Sequence, residues 1–144
     1  MTVDIGVLLD ERAMYRTLCK LAELMDECDW GQLSEVFADD ATGDFGEGPM
    51  DRAGIEASYR RYLGACGPTQ HLLGNVVIDV DGDRASSRCY VRDVHQGKPP
   101  SSHLTFYSPG QYLDQWVRTA EGWRISHRTK RNLMQIGSME VFAG

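Results

Sequence analysis

The chain has 144 residues, 42% hydrophobic and 25% charged, which fits one globular domain over residues 1–144 and excludes a disordered or fibrous chain. A net charge of −6 with no basic tract excludes a nucleic-acid role, because such a surface repels phosphates. No run approaches the roughly 18–20 apolar residues that span a bilayer, and residues 1–10 lack the basic start of a signal peptide, so the expectation is a cytoplasmic protein with no membrane role.

The first predicted element is a helix over residues 8–26. Met14, Leu18, Leu21 and Met25 recur at helical steps and form an apolar stripe. Asp29 is placed to cap a second, short helix, with Gln32 as its capping-box partner and Asp39-Asp40 at its end. Residues 41–50 are glycine-rich and read as a short strand and loop. Asp51 caps a third helix over about 52–64, which carries Ile55, Tyr59, Tyr62 and Leu63.

From there the pattern changes to long strands over 70–80, 84–95, 103–118 and 123–132. Asp81-Gly82 and Glu121-Gly122 are hairpin turn signals. Ser108-Pro109-Gly110 marks a bulge, because proline removes a ladder donor. Helices first and an antiparallel meander afterwards define the α+β class. Residues 133–144 carry Leu133, Met134, Ile136, Met139, Val141 and Phe142, enough to pack on the domain or on a neighbouring subunit. Cys19, Cys28, Cys66 and Cys89 lie far apart with no C-x-x-C pair and read as reduced thiols.

Strands alternate faces, so parity shows which polar residues point inward. Over 84–95, Asp93 shares its face with Ala85, Ser87, Cys89 and Val91, opposite an arginine-rich face. Over 123–132, His127 and Arg131 share parity with Trp123 and Ile125, while Arg128 and Lys130 fall on the other side. Tyr112, Asp114 and Trp116 share a face. Parity leaves His71 open: it goes with Leu73, Asn75 and Val77, whereas Leu72, Val76, Ile78 and Val80 are the more apolar set. Asp26 continues the edge of the first helix's stripe and, unlike Asp29, Asp39 and Asp51, has no capping role to explain it. Several ionisable groups aimed at one interior are costly unless they serve a function.

Leu24-Met25-Asp26, Asp29-Trp30, Phe37-Ala38-Asp39-Asp40-Ala41, Thr69-Gln70-His71, Asp114-Gln115-Trp116 and Gly122-Trp123-Arg124-Ile125 together carry a resemblance. Over residues 8–132 the chain resembles the SnoaL-like branch of the nuclear-transport-factor-2-like (NTF2-like) superfamily, which includes ketosteroid isomerase and scytalone dehydratase. The resemblance implies a cone-shaped α+β barrel, with three N-terminal helices packed on a strongly curved, mostly antiparallel sheet. It implies a homo-oligomer, dimer or trimer, with no metal and no organic cofactor, and His71, His95, His103 and His127 show no ligand-type spacing.

In eliminating members of the branch a helix-borne Asp and a strand-borne His form a proton-abstracting dyad. Asp26 and His71 stand at those places, and Tyr90-Val91-Arg92-Asp93 matches a further acidic position. Several relatives carry a Tyr five residues before the dyad Asp; this chain has Leu21, which leaves Tyr15, Tyr59 or Tyr112 to supply a phenol. The expected function is a lyase of dehydratase type on a small, hydrophobic cyclic substrate. Asp26 and His71 would be catalytic, and Asp93, His127, Arg131 and Tyr112 supporting. An isomerase or polyketide-type cyclase, or a non-catalytic ligand-binding or structural subunit, are the alternatives.

Overall fold

A 23-residue helix, α1 (Ile5–Glu27), opens the computed structural model, which describes residues 2–144. It starts three residues earlier than its apolar stripe suggests, because the Asp4 carboxylate accepts from the Gly6 amide and caps it. Its buried face carries Met14, Leu18, Leu21 and Met25, all at most 2% exposed. Cys28, in the left-handed region at φ 54°, closes it. A 3₁₀ turn (Trp30–Glu35) stands where the second helix is expected. Asp29 makes no backbone cap there; its carboxylate instead accepts from the Gln32 side chain. Nor do Asp39 and Asp40 end a helix. Both lie exposed in strand β1 (Phe37–Asp44), where Arg52 bonds Asp39.

Strand β2 (Pro49–Asp51) leads into helix α2 (Arg52–Tyr62), capped by Asp51 through the Gly54 amide at 2.8 Å. Then come β3 (Thr69–Asp81), β4 (Arg84–Gln96), β5 (Thr105–Tyr107), β6 (Gly110–Thr119), β7 (Gly122–Asn132) and β8 (Ile136–Gly137). The strand expected over 103–118 is thus two strands, broken at Ser108-Pro109. The sheet runs β2-β1-β7-β6-β4-β5-β8, with β3 on the other edge of β4. All pairs are antiparallel except β1 with β7. Three helices pack on this strongly curved, open sheet, giving a cone.

Two bulges decide what faces the cone's interior. In β3 the register against β4 shifts between Gly74 and Val77, around Asn75 at φ 52°. Before the shift His71 and Leu73 point inward, and after it Val76, Ile78 and Val80 do. The parity conflict over His71 is resolved because each set is internal only on its own side of the bulge: Leu72 before it and Val77 after it are exposed. In β7 the register against β6 shifts between Ile125 and His127, leaving Ser126 as the extra residue. Trp123 and Ile125 point inward ahead of it, and Arg128 and Lys130 behind it. Strand β4 has no such interruption and alternates through to His95.

The main core joins the α1 stripe to Phe37, Ile55, Trp116, Trp123 and Ile125. The C-terminal segment ends in a 3₁₀ turn (Met139–Phe142) whose Val141 and Phe142 pack on Cys66 and Phe106 of the same chain. Leu133, Met134, Ile136 and Met139 stay about half exposed. All four cysteines are free thiols.

Candidate active site

The wide side of the cone opens on a cavity of about 550 Å³, bounded by α2, the loop after β1 and the C-terminal segment. Part of its wall is apolar, with Phe45, Met50, Leu63 and Phe142, and its exposed rim carries Glu47, Arg61, Asn132 and Gln135. Its inner end is polar, with His71, Asp93, His95, Ser108, Tyr112 and Lys130. That division suits an apolar ligand held in place by a few polar groups.

Asp26, in the last turn of α1, and His71, near the start of β3, meet behind this polar end. Asp26 Oδ1 lies 2.6 Å from His71 Nδ1, and the His71 amide donates to Oδ2 at 3.1 Å. The Thr69 hydroxyl donates to Oδ1 at 2.8 Å. Burial pushes the Asp26 carboxyl up, but the bonds from His71 and Thr69 outweigh it and hold the group below its ordinary value. An ionised carboxylate only accepts, so Nδ1 carries the hydrogen and the opposite nitrogen, Nε2, is the reactive one. Asp26 itself does not line the cavity; it orients the ring that does.

Asp93, 2% exposed, sits directly across β3–β4 from His71. It accepts from the Ser108 amide, the Ser108 hydroxyl and Lys130 Nζ, each at 2.7 Å. Burial raises its pKa, and the Lys130 charge with the bonds from Lys130 and Ser108 more than reverses that. Asp93 is therefore a fixed anion that anchors an ammonium, and a poor proton donor. His95, 4% exposed, is one inward step further along β4. Its Nδ1 meets the Phe106 carbonyl at 3.0 Å, and since a carbonyl only accepts, Nδ1 carries the hydrogen. Burial lowers the pKa of this imidazole against the pull of Asp93, so it stays neutral.

Beneath the cavity lies a buried ion pair. Arg128 and Asp114, each 1% exposed, bond through Nε–Oδ1 at 2.7 Å and a second nitrogen to Oδ2 at 2.8 Å. The guanidinium lies 3.8 Å from the Tyr112 ring centroid and holds that ring as the cavity floor.

Of the six residues singled out in sequence, Asp26, His71, Asp93 and Tyr112 are brought together. His127 and Arg131 are not. The bulge at Ser126 turns His127 outward, where Nδ1 bonds the Thr42 hydroxyl at 2.7 Å, and leaves Arg131 exposed. The same shift brings in Lys130, which parity assigns to the wet face. His95 had a sequence signal, since it continues the inward parity of Asp93. Ser108 had only its place beside Pro109. Tyr15 is 47% exposed and cannot replace the missing phenol, whereas Tyr59 and Tyr112 line the cavity. The histidines lack ligand spacing along the chain, yet His71 and His95 meet Asp93 in space, with one donor atom from each lying within 4.8 Å of the others.

A cone of this kind, with a buried polar cluster beside an apolar wall, is an NTF2-like fold with a cavity of small-molecule size. The chain belongs to the SnoaL-like domain family, whose model matches residues 6–129. It is 28% identical over 142 residues to the uncharacterized protein Rv2910c of Mycobacterium tuberculosis, covering 92% of each chain. The crystal structure of Kfla4162 from Kribbella flavida superposes with a TM-score of 0.83 at 25% identity, over 96% of this chain and 99% of that one. A scytalone dehydratase candidate from Novosphingobium aromaticivorans superposes at 0.79 with 22% identity, over 91% and 89% of the two chains.

Proposed function

We propose that this protein is a lyase of dehydratase type that removes a proton from, and expels a hydroxyl from, a small, largely apolar cyclic substrate. The observation that carries the reading is the 2.6 Å Asp26–His71 contact behind a cavity of about 550 Å³. His71 Nε2 takes the proton as general base, and Asp26 fixes the ring and stabilises the imidazolium that forms. The leaving group needs a second polar group in the same cavity. Lys130, held by Asp93 and by Ser108 Oγ at 3.0 Å, is a cation beside His71 and Asp93 in the cavity lining that can stabilise the departing oxygen. This assignment gives the leaving-group role to Lys130 rather than to the supporting residues Asp93, His127 or Arg131 expected from sequence, and Asp93 becomes its anchor. The likeness to a dehydratase candidate supports the reaction class through the fold alone.

An isomerase or cyclase would use the same base. The two are separated by mass, because elimination yields a product lighter by one water. A non-catalytic subunit would call for a filled cone with the dyad apart; the open cavity and the short contact support catalysis instead.

The test is turnover on a panel of cyclic β-hydroxy ketones and hydroxylated fused-ring compounds, followed by mass spectrometry. His71→Ala is expected to reduce kcat by about 10²–10⁴-fold, with a smaller but clear loss for Asp26→Asn. Wild-type kcat in folded His71→Ala on a substrate the native protein dehydrates would overturn the proposal.

A further inference from the structure

We propose that the inner end of the cavity is also a binding site for a divalent transition-metal cation of the zinc class, held by His71 Nε2, His95 Nε2 and the Asp93 carboxylate.

One donor atom from each of His71, Asp93 and His95 lies within 4.8 Å of the other two. The two rings stand nearly perpendicular, with centroids 5.7 Å apart and an interplanar angle of 87°. Each ring has its Nδ1 already committed, His71 to the Asp26 carboxylate and His95 to the Phe106 carbonyl. Each therefore presents Nε2 as a lone pair. Metal-binding histidines characteristically donate their second nitrogen to a carboxylate or a backbone carbonyl, which fixes the tautomer and raises the basicity of the ligating nitrogen. Both kinds of partner are present here, one on each ring. Three electron-pair donors thus converge, and the Lys130 ammonium on Asp93 Oδ2 already places a positive charge beside them.

Two imidazoles and one carboxylate form a borderline-soft donor set suited to Zn²⁺ and its neighbours, whereas Mg²⁺ and Ca²⁺ favour oxygen ligands. The cavity leaves a fourth position open to water or a substrate oxygen. Lys130 Nζ, 2.7 Å from Asp93, is the competing cation. It neutralises the carboxylate and must yield for the metal to enter, so this lysine sets the affinity. The metal would occupy the nitrogen that the proposed lyase uses as its base. Bound metal and base chemistry are then mutually exclusive, and the cation acts as an inhibitor that competes with substrate.

The experiment is a titration of the untagged, substrate-free chain with Zn²⁺ by calorimetry and with Co²⁺ by visible absorption. One ion per chain is expected, with a Co²⁺ spectrum typical of four-coordinate nitrogen and oxygen ligation. His95→Ala and His71→Ala should each weaken binding by about 10-fold or more, and Asp26→Asn, through its outer contact alone, by about 10–100-fold. Lys130→Met should tighten it, and a His103→Ala/His127→Ala variant should leave it unchanged. If an alanine variant fails to fold, as checked by circular dichroism, glutamine at the same position replaces it. No binding by the native chain, equal binding in folded His95 and His71 variants, or loss of binding in the His103/His127 variant would overturn the site. Because binding is read without substrate, its failure leaves the general-base reading standing, and loss of the base reading leaves the metal measurement intact.

Discussion

Replacing Asp114 by Asn tests the ion pair under the cavity. The change is isosteric; it removes the charge and turns one of the two accepting oxygens into an amide donor. Arg128 and Asp114 are each 1% exposed, and their two bonds measure 2.7 and 2.8 Å. Burial lowers the arginine's pKa and Asp114 more than reverses this; without Asp114 the intrinsic basicity of the guanidinium still keeps it charged. Stranding a buried charge costs about 3–5 kcal/mol. For a domain of this size that is a fall in Tm of roughly 10–15 °C. Urea and thermal unfolding followed by circular dichroism would measure it. The double variant Asp114→Leu/Arg128→Met removes both charges and should recover most of the loss, since apolar replacements of a whole buried pair are close to neutral. An Asp114→Asn protein within about 1 kcal/mol of wild type, or a double variant as unstable as the two singles combined, would refute the reasoning.

Asn75 holds the β3 bulge in the left-handed region, where a β-branched residue is strained. Asn75→Val should cost about 1–2 kcal/mol in urea unfolding and should abolish the downfield Nδ1–H proton resonance that the Asp26 bond predicts for His71 in NMR, while Asn75→Gly keeps native stability and that resonance. Retention of that resonance in Asn75→Val would count against the bulge as the positioning device. Acid stability follows from three carboxyls, Asp10, Asp26 and Asp93, held below the ordinary value. Asp10 is held there by its bonds from Arg118 and Trp123, the other two by bonds that outweigh burial. Each folded-state pKa lies below the unfolded value of about 3.9, so the stabilisation is complete above that value and is lost as pH falls through the folded one. The urea midpoint should drop steadily below pH ~4, and Asp10→Asn should flatten part of the drop. An unchanged slope in that variant would dismiss Asp10 as a contributor.

How much of the site the sequence discloses depends on where strands keep count. Strand β4 alternates without interruption, and there parity placed Asp93 inside correctly and would have placed His95 inside had the pattern been followed one step further. In β3 and β7 a single extra residue reverses the count, and no local signature announces it. Asn75 is compatible with the left-handed region, but an asparagine in a strand is too common a sight to date a bulge. Ser126 carries no signal at all. Parity therefore assigned His127 and Arg131 to the interior and Lys130 to solvent, the reverse of what occurs. The helices are legible for a different reason: α1 and α2 each carry an uninterrupted stripe, and Asp51 caps α2 within three residues, whereas the Asp4 cap that starts α1 three residues early precedes the stripe. The 3₁₀ turn at Trp30 was misread because its cap signal, Asp29 with Gln32, satisfies itself side chain to side chain.

The two bulges also bear on why the pocket holds so many charges at an acceptable cost. Extending the β3–β4 hairpin from its turn without a shift would set His71 opposite Val94 and turn its ring to solvent. The extra residue at Asn75 instead sets it opposite Asp93 and within reach of Asp26. The extra residue at Ser126 delivers Lys130 to that same Asp93 and Arg128 to Asp114. Each buried acid thereby gains a cation or an imidazole, and no buried carboxylate is left alone among the described residues lining the cone. Removing either bulge would do more than move one side chain, because a one-residue slip turns every residue beyond it to the other face. Loss of the β3 bulge would strand Asp26, loss of the β7 bulge would strand Asp93 and Asp114, and either would turn apolar surface to the wrong side. The pocket's chemistry and the sheet's register are thus set by the same two residues.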